Sequence, residues 1–140
     1  MADSVTGWAF LAELCDTLPD LRLTVDPLDL EAHRRDETVG LEPPSPLAVA
    51  FPTATDEVAG IVRLAAAHRV PLVPRGGGTG LSGGAAAVEG GLVVAFARMN
   101  RILEIDEENQ VAVVQPGVVN ADLVAALADH GLVYAPDPAS

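Results

Sequence analysis

The sequence predicts an α+β fold built on a small, partly parallel β-sheet flanked by helices. Three observations predict it. Apolar runs at residues 47–51, 72–73 and 92–96 carry no polar interruption, as strands covered on both faces require. Apolar residues recur at helical spacing around those runs, at Phe10, Leu11, Leu14 and Leu18, at Val58, Ile61, Val62 and Ala65, and at Leu123, Val124 and Leu127. Beyond residue 46 the order is strand, helix, strand, strand, hairpin, helix, which mixes parallel with antiparallel neighbours.

Each element follows from local chemistry. The first apolar stripe predicts a short amphipathic helix, ended by Pro19-Asp20. From 21 to 46 the pattern is broken by Pro27, Gly40, Pro43, Pro44 and Pro46, which predicts a largely irregular segment. A boundary near Ser45 therefore separates a helical and irregular lead-in, 1–45, from a regular unit, 46–140. In that unit, strand 47–51 stops at Pro52, and Thr53 and Thr55 supply an N-cap. Asp56 and Glu57 occupy the first helical turn, where the dipole favours acids, and the helix ends near His68-Arg69 before Pro71. Residues 101–105 and 111–114 flank the polar tip Asp106-Glu107-Glu108-Asn109 and read as a hairpin. Asn120 caps the last helix and Gly131 closes it.

Composition bounds the function. A chain of 140 residues, 49% hydrophobic with five aromatics, makes one domain or part of one, packed mainly with Ala, Val and Leu. All eight basic residues are arginines, with one adjacent pair, and the formal net charge is −12, which excludes nucleic-acid binding by phosphate neutralisation. An anionic ligand must then be held by local backbone N–H groups and a few arginines, not by a favourable overall field. The single cysteine, Cys15, excludes an internal disulfide and a zinc knuckle and reads as a small buried apolar residue. Trp8 reads as a cover for a core edge, and Asp106, Glu107 and Glu108 as solvated turn residues, so no metal site is expected. With no basic leader and no apolar stretch long enough to cross a bilayer, the expected setting is cytoplasmic, without a membrane span.

The chemistry concentrates in Pro74-Arg75-Gly76-Gly77-Gly78-Thr79-Gly80-Leu81-Ser82-Gly83-Gly84, six glycines within nine residues directly after a buried strand. Ordering such a run costs much backbone entropy, and a nest of N–H groups that a phosphate can approach closely offsets that cost. Thr79 and Ser82 add hydroxyl donors and Arg75 adds charge. No lysine follows the glycines, which excludes a Walker A loop, and no helix starts at the second glycine, as a Rossmann fingerprint requires.

Five motifs in one order then resemble the FAD-linked oxidases of the vanillyl-alcohol oxidase and p-cresol methylhydroxylase (PCMH) type, in the glycolate oxidase and D-lactate dehydrogenase branch. They are Arg35-Asp36-Glu37-Thr38, Pro46-Leu47-Ala48-Val49-Ala50-Phe51-Pro52 with Glu57-Val58, the glycine loop, Gln115-Pro116-Gly117-Val118, and Pro136-Asp137-Pro138-Ala139-Ser140. The resemblance implies a PCMH-type FAD-binding subdomain of a flavoprotein that oxidises a small-molecule D-2-hydroxy acid. It implies that the loop from Pro74 to Gly84 binds the FAD pyrophosphate, that Pro116, Gly117 and Val118 lie beside the adenosine or pyrophosphate portion, and that Pro136, Asp137 and Ser140 run along the flavin. It implies noncovalent FAD, with no link to His33, His68 or His130; the last two read as surface histidines at helix C-termini. Members of this family continue past the Pro-Asp-Pro segment into a further glycine-rich stretch and a substrate domain. The resemblance therefore implies a truncated cofactor domain, with no catalytic residue and no metal ligand of its own.

Overall fold

The computed structural model of the chain describes residues 4–136. Its centre is a four-stranded sheet in the order β1 (Arg22–Thr24), β2 (Ala48–Phe51), β4 (Leu92–Ala95), β3 (Leu72–Arg75). β4 runs parallel to both β2 and β3, and β1 joins the far edge of β2 antiparallel. Alternate residues of β2 and β4 face opposite layers. Ala48, Ala50, Leu92 and Val94 pack with Phe10, Leu11 and Leu14 of α1 (Ser4–Thr17) and Ile61 and Ala65 of α3 (Thr55–His68). Val49, Phe51, Val93 and Ala95 pack with Val73 and Ala87, and Leu30 of α2 (Pro27–Arg34) closes that side. A sheet covered on both faces is why these strands read as unbroken apolar runs.

A second, two-stranded antiparallel sheet, β5 (Ile102–Asp106) with β6 (Val111–Val114), follows a 3-10 turn at Phe96–Arg98. It leads to α4 (Asn120–Ala128). The mixed α+β architecture and the partly parallel sheet agree with the sequence reading. No helix among the described residues is long and apolar enough to cross a membrane.

Several local expectations are corrected. Segment 21–46 is irregular over much of its length, as expected, but it also carries β1 and α2, which the sequence reading missed. Pro27 starts α2 instead of breaking the chain: it sits in the first turn, where its missing N–H costs nothing, behind Asp26, whose side chain accepts from the N–H groups of Leu28 and Asp29. The N-cap of α3 is Ala54 and that of α4 is Val119, neither with a side-chain cap, so Thr53, Thr55 and Asn120 do not play that part. Thr53 instead gives its N–H and hydroxyl to Glu57 (2.6 and 3.0 Å). Val62 and Val124 lie on half-exposed flanks, and Phe96 belongs to the 3-10 turn. Cys15 and Trp8 are exposed on α1. His68 and His130 do more than face a helix dipole. His68 pairs with Glu13 across α1 and α3 (2.7 Å), and His130 pairs with Glu107 at the hairpin tip (2.5 Å).

Candidate functional site

The parallel register sets the site. β3 and β4 are aligned so that Arg75 stands opposite Ala95, and the chain leaves both carboxyl ends side by side. The glycine loop leaves β3 there, and the 3-10 turn leaves β4. Carboxyl ends of parallel strands are where open sheets place ligands.

The opposite wall is brought in by the segment after β6. Gly117 donates its N–H to the Met99 carbonyl (2.8 Å) and Gln115 to that of Arg101 (2.9 Å), while the buried Gln115 Oε1 accepts from the Arg101 N–H (2.9 Å). A Cβ on Gly117 would stand 1.9 Å from the Phe96 carbonyl oxygen, so only glycine lets the turn sit this close. Between the two walls is a cleft of about 460 Å³, lined by Gly76, Gly77 and Thr79 on one side and by Ala97, Asn100 and residues 116–120 on the other. Asn120, the first residue of α4, puts the positive end of that helix dipole at the cleft.

This lining suits a pyrophosphate approached by backbone. A Cβ built on Gly76 meets nothing within 4 Å, and one on Gly77 meets only the Thr79 methyl at 3.8 Å. Among the described residues, the N–H groups of Gly76, Gly77, Gly78, Thr79 and Gly80 donate to no protein acceptor. Among the described residues, no charged side chain lines the cleft. The residues present therefore fit FAD held by amides, with Thr79 and the Asn100 and Asn120 amides at the rim.

Arg75 has a different task from the one its charge suggested. It is 8% exposed, and its Nη1 donates to the carbonyls of Arg35 (2.8 Å) and Ala85 (3.4 Å). Burial pushes the guanidinium below the ordinary arginine value, and the carboxylates of Asp36 and Glu37 oppose that shift. Gly78, at φ +77°, folds over this guanidinium, and a Cβ there would stand 2.1 Å from Nη2. Arg75 thus pins the underside of the loop.

The sequence-derived site residues divide accordingly. Gly76, Gly77, Thr79, Pro116, Gly117 and Val118 converge on the cleft. Pro74 lies in β3 with Arg75. Gly78, Gly80, Gly83 and Gly84 belong to the part of the loop that curls back beneath the cleft wall, and Leu81 is 73% exposed. Ser82 is exposed in the same turn. Pro136 accepts from Asn120 Nδ2 at 3.3 Å, whereas Asp137 and Ser140 lie outside the described residues. His33, His68 and His130 are not in the lining. Sequence reasoning missed Ala97, Asn100, Val119 and Asn120; only their proximity to the Pro-Gly-Val turn or to β4 signalled them. It also named the Asp36 motif without a task for it. The Asp36 carboxyl is 8% exposed and accepts from the N–H groups of Thr38 (3.2 Å) and Ala85 (3.3 Å). The Thr38 side chain foremost, aided by these backbone groups and opposed by desolvation, holds that carboxyl below the usual carboxylate range.

A larger cleft, about 540 Å³, lies between β6, α4 and residues 131–134. Apart from Gln110 and Tyr134 its side chains are apolar, and neither the glycine loop nor the Pro116-Gly117-Val118 turn lines it.

Comparison with known proteins bears on the smaller cleft. A family model described as "FAD binding domain" matches residues 46–140. The chain is 55% identical over 95 residues to glycolate oxidase subunit GlcD of Bacillus subtilis, covering 68% of this chain and 20% of that protein. It is 43% identical over 136 residues to D-2-hydroxyglutarate dehydrogenase of Stutzerimonas stutzeri, covering 97% of this chain and 29% of that one. Among solved structures, p-cresol methylhydroxylase with substrate bound superposes with a TM-score of 0.70 at 24% identity, over 91% of this chain and 24% of that chain. The chain thus spans between a fifth and a third of the length of these proteins.

Proposed function

Because the chain belongs to the FAD binding domain family of FAD-linked oxidoreductases, with the p-cresol methylhydroxylase type of fold, we propose that its glycine-loop cleft holds the FAD pyrophosphate in a flavoprotein that oxidises a D-2-hydroxy acid of the glycolate or D-lactate type. One observation carries the cofactor part: Gly76, Gly77 and Thr79 face residues 116–120 across a cleft that no charged side chain among the described residues lines and no Cβ blocks at the two glycines. The substrate class is supported by the names of two relatives, which refer to glycolate and D-2-hydroxyglutarate, both 2-hydroxy acids. A cytoplasmic setting belongs to the same proposal and is compatible with a single cysteine.

A bound flavin would supply the redox chemistry, as the acceptor for a hydride equivalent from the 2-hydroxy acid. This chain's residues bind and orient. Backbone N–H groups of Gly76, Gly77 and Thr79 would meet the pyrophosphate and the α4 N-terminus would add its dipole, while Arg75 holds the loop from beneath.

A second reading is a non-catalytic chain that binds nucleotide weakly or docks on a completing partner. It is favoured by exposed apolar side chains at Val111, Val113, Val114, Val124 and Val133. Titration with FAD and with riboflavin separates the two. The first reading expects saturable binding of FAD but not of riboflavin, and weak binding of both, or none, would favour the second. The substrate class is read in a full-length flavoprotein that carries this chain, where glycolate or D-lactate should bleach the flavin anaerobically.

A further inference from the structure

We propose that segment 34–38 is a latch that pre-orders the glycine loop for its ligand, with Asp36 and Thr38 as positioning residues. The proposal rests on the FAD reading of the loop. A run of six glycines in nine residues is costly to order, and a loop that orders only on binding loses that cost from its affinity. An internal device that orders it beforehand restores the affinity.

The contacts form such a device. The Glu37 N–H donates to the Gly80 carbonyl (3.0 Å), the Gly83 N–H to Thr38 Oγ1 (2.7 Å), and the Ala85 N–H to Asp36 Oδ2 (3.3 Å). Beyond them the Ala87 N–H donates to the Arg34 carbonyl (2.8 Å), and Arg75 Nη1 reaches the Arg35 carbonyl (2.8 Å). The loop is thus held at its start, middle and end by five consecutive residues that lie about 40 to 50 positions earlier in the chain. None of the residues joined by these bonds lines the cleft, and none of the bonds consumes an N–H of Gly76, Gly77 or Thr79. Asp36 and Thr38 supply the two side-chain acceptors, and both are anchored to each other through the Thr38 N–H (3.2 Å).

The test uses Thr38→Val, which keeps the shape and removes the acceptor of the Gly83 N–H, and Thr38→Ser, which restores it. FAD affinity is read by flavin fluorescence, and amide hydrogen exchange is followed without FAD. Thr38→Val is expected to weaken FAD binding about tenfold. It should accelerate exchange at residues 80–87 while β2 and β4 exchange as before, and Thr38→Ser should restore both. Unchanged FAD affinity in Thr38→Val overturns the proposal, as does a loss that serine fails to rescue or that spreads equally to β2 and β4. If the unaltered protein binds no FAD, the cofactor reading fails by itself. Exchange then decides the latch: acceleration confined to residues 80–87 upholds it, and no acceleration overturns it.

Discussion

Glycines that look alike in the sequence have unlike tasks. Gly117 lacks a side chain because the Phe96 and Met99 carbonyl oxygens stand 1.9 and 2.9 Å from where its Cβ would be. Gly117→Ala is therefore expected to destabilise the fold by about 3 kcal/mol, read as a lower denaturant midpoint. A midpoint within error of the parent would contradict the packing described. Gly77, by contrast, faces open space, so its replacement should leave the fold intact. The sequence showed the glycine run and the strand that launches it, and the chemistry of an anion nest follows from those alone. It did not show which glycines face the ligand. Arg75 illustrates why: adjacent to the nest, it reads as a ligand cation, yet its guanidinium turns inward to carbonyls of residues 35 and 85. Contacts spanning 40 positions have no local signature.

At the scale of elements, α3 ends in a left-handed residue that is not glycine. Arg69 has φ +56°, with its N–H on the Ala66 carbonyl and the Val70 N–H on the Ala65 carbonyl. At that position a side chain is strained and glycine is not, so Arg69→Gly should raise stability by up to about 1 kcal/mol. The thermal midpoint checks it, and a fall would show that Arg69 makes a compensating contact. α4 meets the same need with Gly131, at φ +67°, and this end was legible. Long periodic elements and buried parallel strands were legible too, because burial on both faces leaves an unbroken apolar run. β1 and α2 were not: a three-residue strand carries too little pattern, and Pro27 reads as a breaker unless Asp26 is recognised as the cap before it. The ends of α3 and α4 were placed within a residue or two, but their N-caps were assigned to side chains that do not cap.

For the molecule as a whole, the formal charge of −12 opposes an anionic cofactor, and among the described residues the cleft offers no charged side chain against it. Salt screens that repulsion, so FAD affinity should hold steady or rise as ionic strength increases. A steep fall with salt would mean that arginines outside the cleft wall carry the binding. The central claim is narrower: the anion held between the glycine loop and residues 116–120 is the FAD pyrophosphate. Its most direct test is a fluorescence titration with FAD of the parent protein beside Gly77→Val, with circular dichroism and thermal unfolding run on both. Saturable binding by the parent, abolished in a variant that melts like it, is the predicted result. Equal FAD binding by the folded variant, or none by the parent, would contradict it.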